Sequence, residues 1–120
     1  MTDSKITKTP ICPSAELRSG GLGHRFEIRR DGVTYPAFVI RYREQVFGFV
    51  NRCAHRDLEL DWSPGEFFDA DSRYLICATH GALYEPQTGL CVAGPCKGQA
   101  LDTLVVTEYG GTVYLGKESE

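Results

Sequence analysis

Short apolar runs separated by turn residues fill most of the chain, and within them apolar and polar positions tend to alternate. Residues 24–30 alternate, with Phe26 and Ile28 on one face, the period of a half-buried strand. Asp31-Gly32 follows, a dipeptide suited to the positive φ angles of a two-residue hairpin. Residues 35–42 are β-rich, Arg43-Glu44-Gln45 reads as a turn, and residues 46–50 form a compact apolar strand. Residues 73–76 predict a further short strand, and residues 101–108 and 112–115 a closing hairpin across Gly110-Gly111. A short edge strand is expected near residues 15–18, preceded by a patternless lead-in over residues 1–13. No stretch sustains a helical period; one turn of helix between Leu58 and Pro64 is the most the pattern allows. Many short strands with glycine-rich turns predict an all-β fold, a sandwich or barrel.

A chain of 120 residues makes one domain, long enough to bury a core without disulfide staples. Its net charge of −3 argues against a nucleic-acid partner, which would call for a basic face. No apolar run reaches the length of a membrane-spanning helix. The first thirteen residues lack the apolar core of a signal peptide and any twin-arginine pair. A cytoplasmic protein without a membrane anchor is therefore expected. Five cysteines are an odd number, so a complete disulfide framework is not expected, and a reducing compartment suits thiolates reserved for metal. Gly20-Gly21-Leu22-Gly23 precedes no helical pattern, so it is a turn and not a phosphate loop.

The candidate chemistry lies between Cys53 and His80. Cys53-Ala54-His55 opens the stretch and Cys77-Ala78-Thr79-His80 closes it. Each pair offers one thiolate and one imidazole, and together the two claws could close on one metal centre. A finger-type zinc site would instead keep its cysteines together. After His80 the chain reads Gly81-Ala82-Leu83-Tyr84, then Thr88-Gly89 and Gly94-Pro95. In this order of features the chain resembles the Rieske family, most strongly over residues 51–95.

The resemblance implies a [2Fe–2S] cluster with Cys53 and Cys77 on one iron and His55 and His80 on the other. It implies an antiparallel β base, roughly residues 14–50 and 97–117, carrying a cluster-binding tip, roughly residues 51–96. Neutral imidazoles in place of two thiolates leave the oxidised cluster uncharged, which raises its reduction potential over an all-cysteine cluster. A ring nitrogen that can lose its proton couples electron to proton uptake, so the potential is expected to fall as pH rises through the histidine pKa. Gly81, Ala82, Tyr84 and Pro95 would surround the cluster. Membrane Rieske proteins have a Ser and a Tyr that donate hydrogen bonds to cluster sulfur; the matching positions here are Ala82 and Tyr84. The disulfide that links the two loops in those proteins cannot form, since its positions hold Leu58 and Thr79. Both departures point to the ferredoxin branch, with a potential below that of the membrane proteins.

The function implied is that of a one-electron carrier between a reductase and an oxygenase, a non-catalytic component of an oxidoreductase system. Arg56, Leu58, Ala82 and Pro95 would form its docking rim. The alternatives are a small Rieske subunit of a nitrite reductase-like complex and, from another class, a structural zinc domain on the same four ligands. Gly81, Thr88-Gly89 and Gly94-Pro95 argue against zinc. A complete Rieske oxygenase also needs a mononuclear iron on two histidines and a carboxylate, and only His24 remains of the chain's three histidines. His24 is expected to be structural and Cys12 a thiol in the lead-in. Cys91 and Cys96 bracket Val92-Ala93-Gly94-Pro95 and could approach each other; two reduced thiols are expected, with a redox-sensing disulfide as the minor alternative. The 56–76 spacer, with Trp62 and Phe67-Phe68, is expected to pack its aromatics on the base. Its acidic residues Glu59, Asp61, Glu66, Asp69 and Asp71 are expected on a solvated face.

Overall fold

The structure, a computed structural model, describes residues 9–54, 58–61 and 63–116. Ten strands account for its regular structure: β1 (Thr9–Pro13), β2 (His24–Arg30), β3 (Val33–Tyr42), β4 (Gln45–Val50), β5 (Leu75–Ile76), β6 (Leu83–Tyr84), β7 (Cys91–Ala93), β8 (Thr103–Leu104), β9 (Val106–Tyr109) and β10 (Thr112–Leu115). Among the described residues no α-helix occurs; Ser14–Glu16 forms a single 3₁₀ turn. All strand pairs are antiparallel, in three sheets ordered β2-β3-β4-β8, β1-β10-β9 and β5-β6-β7. The all-β expectation holds.

The longest hairpin follows directly from its turn. Asp31 and Gly32 both take positive φ, 51° and 79°, the twist that a two-residue hairpin loop requires. Arg30 therefore faces Val33, and the register runs back to His24 opposite Val39. Gly110 and Gly111 do the same for β9 and β10, where Tyr109 faces Thr112. In β3, Ala37, Phe38, Val39 and Ile40 are all fully buried. A strand buried on both faces reads as a continuous apolar run, not as alternation.

Three expectations are corrected. Residues 9–13 are not a loose lead-in: they form β1, which pairs with β10 and buries Cys12. Residues 14–16 turn as 3₁₀ where an edge strand was expected. No helical turn occurs among the described residues between Leu58 and Pro64. The Phe67 expectation holds: its ring stacks on Phe38 of β3 with centroids 3.8 Å apart and planes 10° from parallel. Phe68 stacks on Tyr42 in the same way at 6.2 Å; Trp62 lies outside the described residues. One apolar cluster consequently runs from Phe38, Ile40 and Phe49 on the larger sheet to Cys53, Cys77 and Tyr84.

Candidate metal centre

Two strand ends deliver the two claws. β4 runs out through Asn51 and Arg52 to Cys53, and β5 runs straight into Cys77. Cys53 and Cys77 are 3% and 0% exposed. Their sulfurs and a ring nitrogen of His80 all lie within 4.8 Å of one another. His55 lies outside the described residues. Two thiols and an imidazole converging at that range form a donor set that a cluster with mixed sulfur and nitrogen ligation can use.

The second claw is a tight turn. Cys77 N–H donates to Ala82 O at 2.9 Å, and Gly81 N–H donates to Cys77 O at 2.7 Å. Gly81 sits at φ 72°, a conformation glycine adopts without the steric cost of a Cβ. The backbone N–H groups of Thr79 and His80 point at the Cys77 sulfur and favour its thiolate, although burial pushes the thiol up overall. Such donors stabilise negative charge on a ligand sulfur.

The first claw is held by a buried polar clamp that the sequence reading missed. The Asn51 amide donates to Asp61 Oδ1 at 3.0 Å, and Asn51 Oδ1 accepts from Leu60 N–H at 2.9 Å. Asp61 Oδ2 accepts from Gly65 N–H at 2.9 Å, and Arg25 Nε approaches that oxygen to 3.4 Å. Asp61, expected on a solvated face, is thus buried, and its polar atoms are satisfied there by hydrogen bonds and a neighbouring cation. Its position between Leu60 and Trp62 in the sequence was the available clue. Cys53 N–H donates to Leu58 O at 2.7 Å, and Ala78 N–H donates to Leu60 O at 2.9 Å, tying one claw to the other.

Tyr84, on β6, is fully buried beneath both claws. Its hydroxyl lies 3.2 Å from Cys53 Sγ, accepts from Ala54 N–H at 3.0 Å and lies 3.2 Å from Cys96 Sγ. Burial, reinforced by the two sulfur contacts, pushes its pKa far up, so it stays a donor. The Tyr84 hydroxyl has one proton and stands between the Cys53 and Cys96 sulfurs.

Ala82, expected on a docking rim, is fully buried. A Cβ on Gly94 (φ 103°) would come within 2.8 Å of Ala82 Cα, so the 94–95 loop packs on it backbone to backbone. Pro95 is exposed beside it, and Leu58 is 40% exposed; Arg56 lies outside the described residues. Away from the tip, His24 Nδ1 pairs with Glu16 Oε1 at 2.9 Å, and Cys12 closes a second group of donor atoms with these two. Burial raises the Cys12 thiol to about 11.

Known proteins bear on this arrangement. No curated protein gives a significant match. Among solved structures, the ferredoxin of carbazole 1,9a-dioxygenase from Nocardioides aromaticivorans IC177 is similar, with TM-score 0.69 and 22% identity over 93% of this chain and 99% of that one. A complex of reduced oxygenase and oxidised ferredoxin in carbazole 1,9a-dioxygenase contains a chain with TM-score 0.70 and 22% identity, 97% of each being covered. A Sphingomonas yanoikuyae B1 ferredoxin gives 0.66 and 22%, over 95% of this chain and 99% of that one. These likenesses establish a shared fold. The family profile of the Rieske [2Fe-2S] domain matches residues 7–110, from the strand before the 3₁₀ turn through both claws and into the last hairpin, and so this chain belongs to the Rieske [2Fe-2S] domain family.

Proposed function

We propose that the chain is a one-electron carrier, the ferredoxin component that takes electrons from a reductase and passes them to a terminal oxygenase. The observation that carries the reading is the near-complete mutual coverage with the two ferredoxins, 93% and 95% of this chain against 99% of each of theirs. One of them is the ferredoxin of a carbazole 1,9a-dioxygenase and the other a ferredoxin of Sphingomonas yanoikuyae B1.

In this reading Cys53 and Cys77 hold one iron and His55 and His80 the other. The [2Fe–2S] cluster so bound supplies the one-electron redox couple. The protein's own residues do the remainder. Tyr84 and the N–H groups of Thr79 and His80 place positive hydrogen-bonding poles on the two sulfurs, which favours the reduced state. Burial of Cys53 and Cys77 keeps water from the sulfur side. The Asn51–Asp61 clamp also holds Leu60, whose carbonyl accepts from Ala78 N–H of the second claw. Leu58 and Pro95 are exposed beside the site and form the rim on which a partner would dock. Five cysteines, an odd number, suit thiols kept in a reducing cytoplasm.

The chain's remaining histidine, His24, is paired with Glu16, so no further set of two histidines and a carboxylate exists in it for a mononuclear iron. The test is capture of partners from native extract with the tagged, cluster-loaded protein, followed by size-exclusion of the protein alone. Transient, salt-sensitive capture of a reductase and an oxygenase is expected. Stoichiometric recovery inside a permanent enzyme complex would instead make the chain a fixed subunit, as in the nitrite reductase-like alternative.

A further inference from the structure

Cys91 and Cys96 stand at the two ends of the loop that packs on Ala82, and each is 1% exposed. Their sulfurs are 2.9 Å apart, with Cys96 donating to Cys91 and Cys91 donating to Ala93 O at 3.3 Å. A disulfide needs about 2.05 Å, so the two must close by roughly one ångström. The backbone holds both ends in place: Cys91 N–H donates to Gln99 O at 2.8 Å, and Gln99 N–H donates to Cys96 O at 2.8 Å. Gly94, Pro95, Lys97 and Gly98, which lie between or next to the pair in the chain, are all exposed. The Cys96 sulfur also lies 3.2 Å from the Tyr84 hydroxyl, which is equally far from Cys53. One hydroxyl thus stands between a metal-binding sulfur and a thiol pair.

We propose that Cys91 and Cys96 form a reversible intramolecular disulfide, and that its formation commits the Tyr84 proton to Cys53. The oxidant is a small-molecule disulfide, RSSR. One cysteine thiolate attacks it, forming a mixed disulfide and releasing RS⁻; the second cysteine displaces the other RS⁻. Overall, two cysteine thiols and RSSR give one protein disulfide and two RSH, with two electrons leaving the cysteines and their two protons going to the released thiolates. Burial, the largest influence on Cys96, raises its thiol to about 11, so exchange at neutral pH is slow and responds to sustained oxidation. In the dithiol, Cys96 competes with Cys53 for the Tyr84 hydroxyl. In the disulfide, Cys96 has no proton and its sulfur is a weaker acceptor, so the hydrogen bond to Cys53 strengthens and the cluster potential rises. That second step rests on the cluster reading, whereas formation of the bond does not.

The cluster-loaded protein is equilibrated anaerobically in glutathione buffers graded from reduced to oxidised, quenched in acid, then denatured and alkylated. Trypsin releases residues 74–97 as one peptide carrying Cys77, Cys91 and Cys96, and fragmentation locates the label. The expected result is a peptide two hydrogens lighter, with Cys77 labelled and Cys91 and Cys96 unlabelled, reverting fully with dithiothreitol. Label on both Cys91 and Cys96 in every buffer, or glutathione adducts without an internal bond, would overturn the disulfide. Redox titration of the two forms then reads the coupling: a higher potential for the disulfide form in the wild type, absent in Tyr84→Phe. Equal potentials in the wild type would overturn the coupling while leaving the bond. A colourless protein that still forms the disulfide would tell against the cluster reading alone.

Discussion

The sheet β2-β3-β4-β8 and the sheet β5-β6-β7 are held together by different forces. The first has strands of seven, ten and six residues over most of its width and buries Ala37 through Ile40 completely. The second has strands of two or three residues, too short to be stable by pairing alone. Its geometry comes from the Asn51–Asp61 clamp, the Tyr84 hydroxyl and the stacking of Phe67 on Phe38. The larger sheet supplies stability through apolar burial, which is non-directional. The smaller one supplies geometry through hydrogen bonds, which are directional. Chemistry at the tip can then be tuned by changing one polar group without endangering the fold.

Four substitutions break or sharpen this contrast. Phe38→Ala removes the ring on which Phe67 stacks and should cost about 3–5 kcal/mol, unfolding sheet and tip together in chemical denaturation. A tip that unfolds first in that variant would show that the two do not share a core. Asn51→Ala leaves Leu60 N–H and one Asp61 oxygen without their partner, costing about 1–3 kcal/mol. Its effect should concentrate at the tip: hydrogen exchange of residues 58–61 accelerates while that of β3 stays protected. Uniform acceleration would assign the clamp to global stability instead.

Glu108 on β9 tests the joint between two sheets, where it makes a bidentate ion pair with Arg41 of β3, one arm at 3.1 Å. The Arg41 guanidinium holds its carboxyl below the ordinary value of 4.5. A lowered folded-state value means stability present above the unfolded value and lost as pH falls through the folded one. Glu108→Gln should therefore cost up to about 1 kcal/mol at pH 7, and the gap from wild type should close as the pH drops below 4.5. A gap unchanged in acid would locate the effect elsewhere. The smallest effect is expected for Tyr84→Phe. Removing one hydrogen bond to Cys53, worth roughly 0.5–1 kcal/mol net, should lower a one-electron potential by about 20–40 mV. An unchanged potential would mean that the hydroxyl serves Cys96.

The sequence makes hairpins visible where turn chemistry and alternation agree, as at Asp31-Gly32 and Gly110-Gly111. It also shows the claws, because their residues are close along the chain. What it hides is decided by distant pairing. β1 contains two prolines among five residues and owes its existence to β10. Asp61 looks like its acidic neighbours until Asn51 and Arg25 surround it. Ala82 stands beside ligand residues in sequence, yet the Gly94 backbone covers it. Cys12, Glu16 and His24 show no spacing that would announce their meeting.

The central claim is that two cysteines and two histidines hold a binuclear iron–sulfur cluster, and anaerobic purification with iron, zinc and acid-labile sulfide analysis and EPR tests it most directly. The account predicts a brown-red protein with two irons and two sulfides per chain, as the family's [2Fe-2S] composition requires, and an EPR signal that appears on one-electron reduction. One zinc per chain, no sulfide and no signal in either state would contradict it.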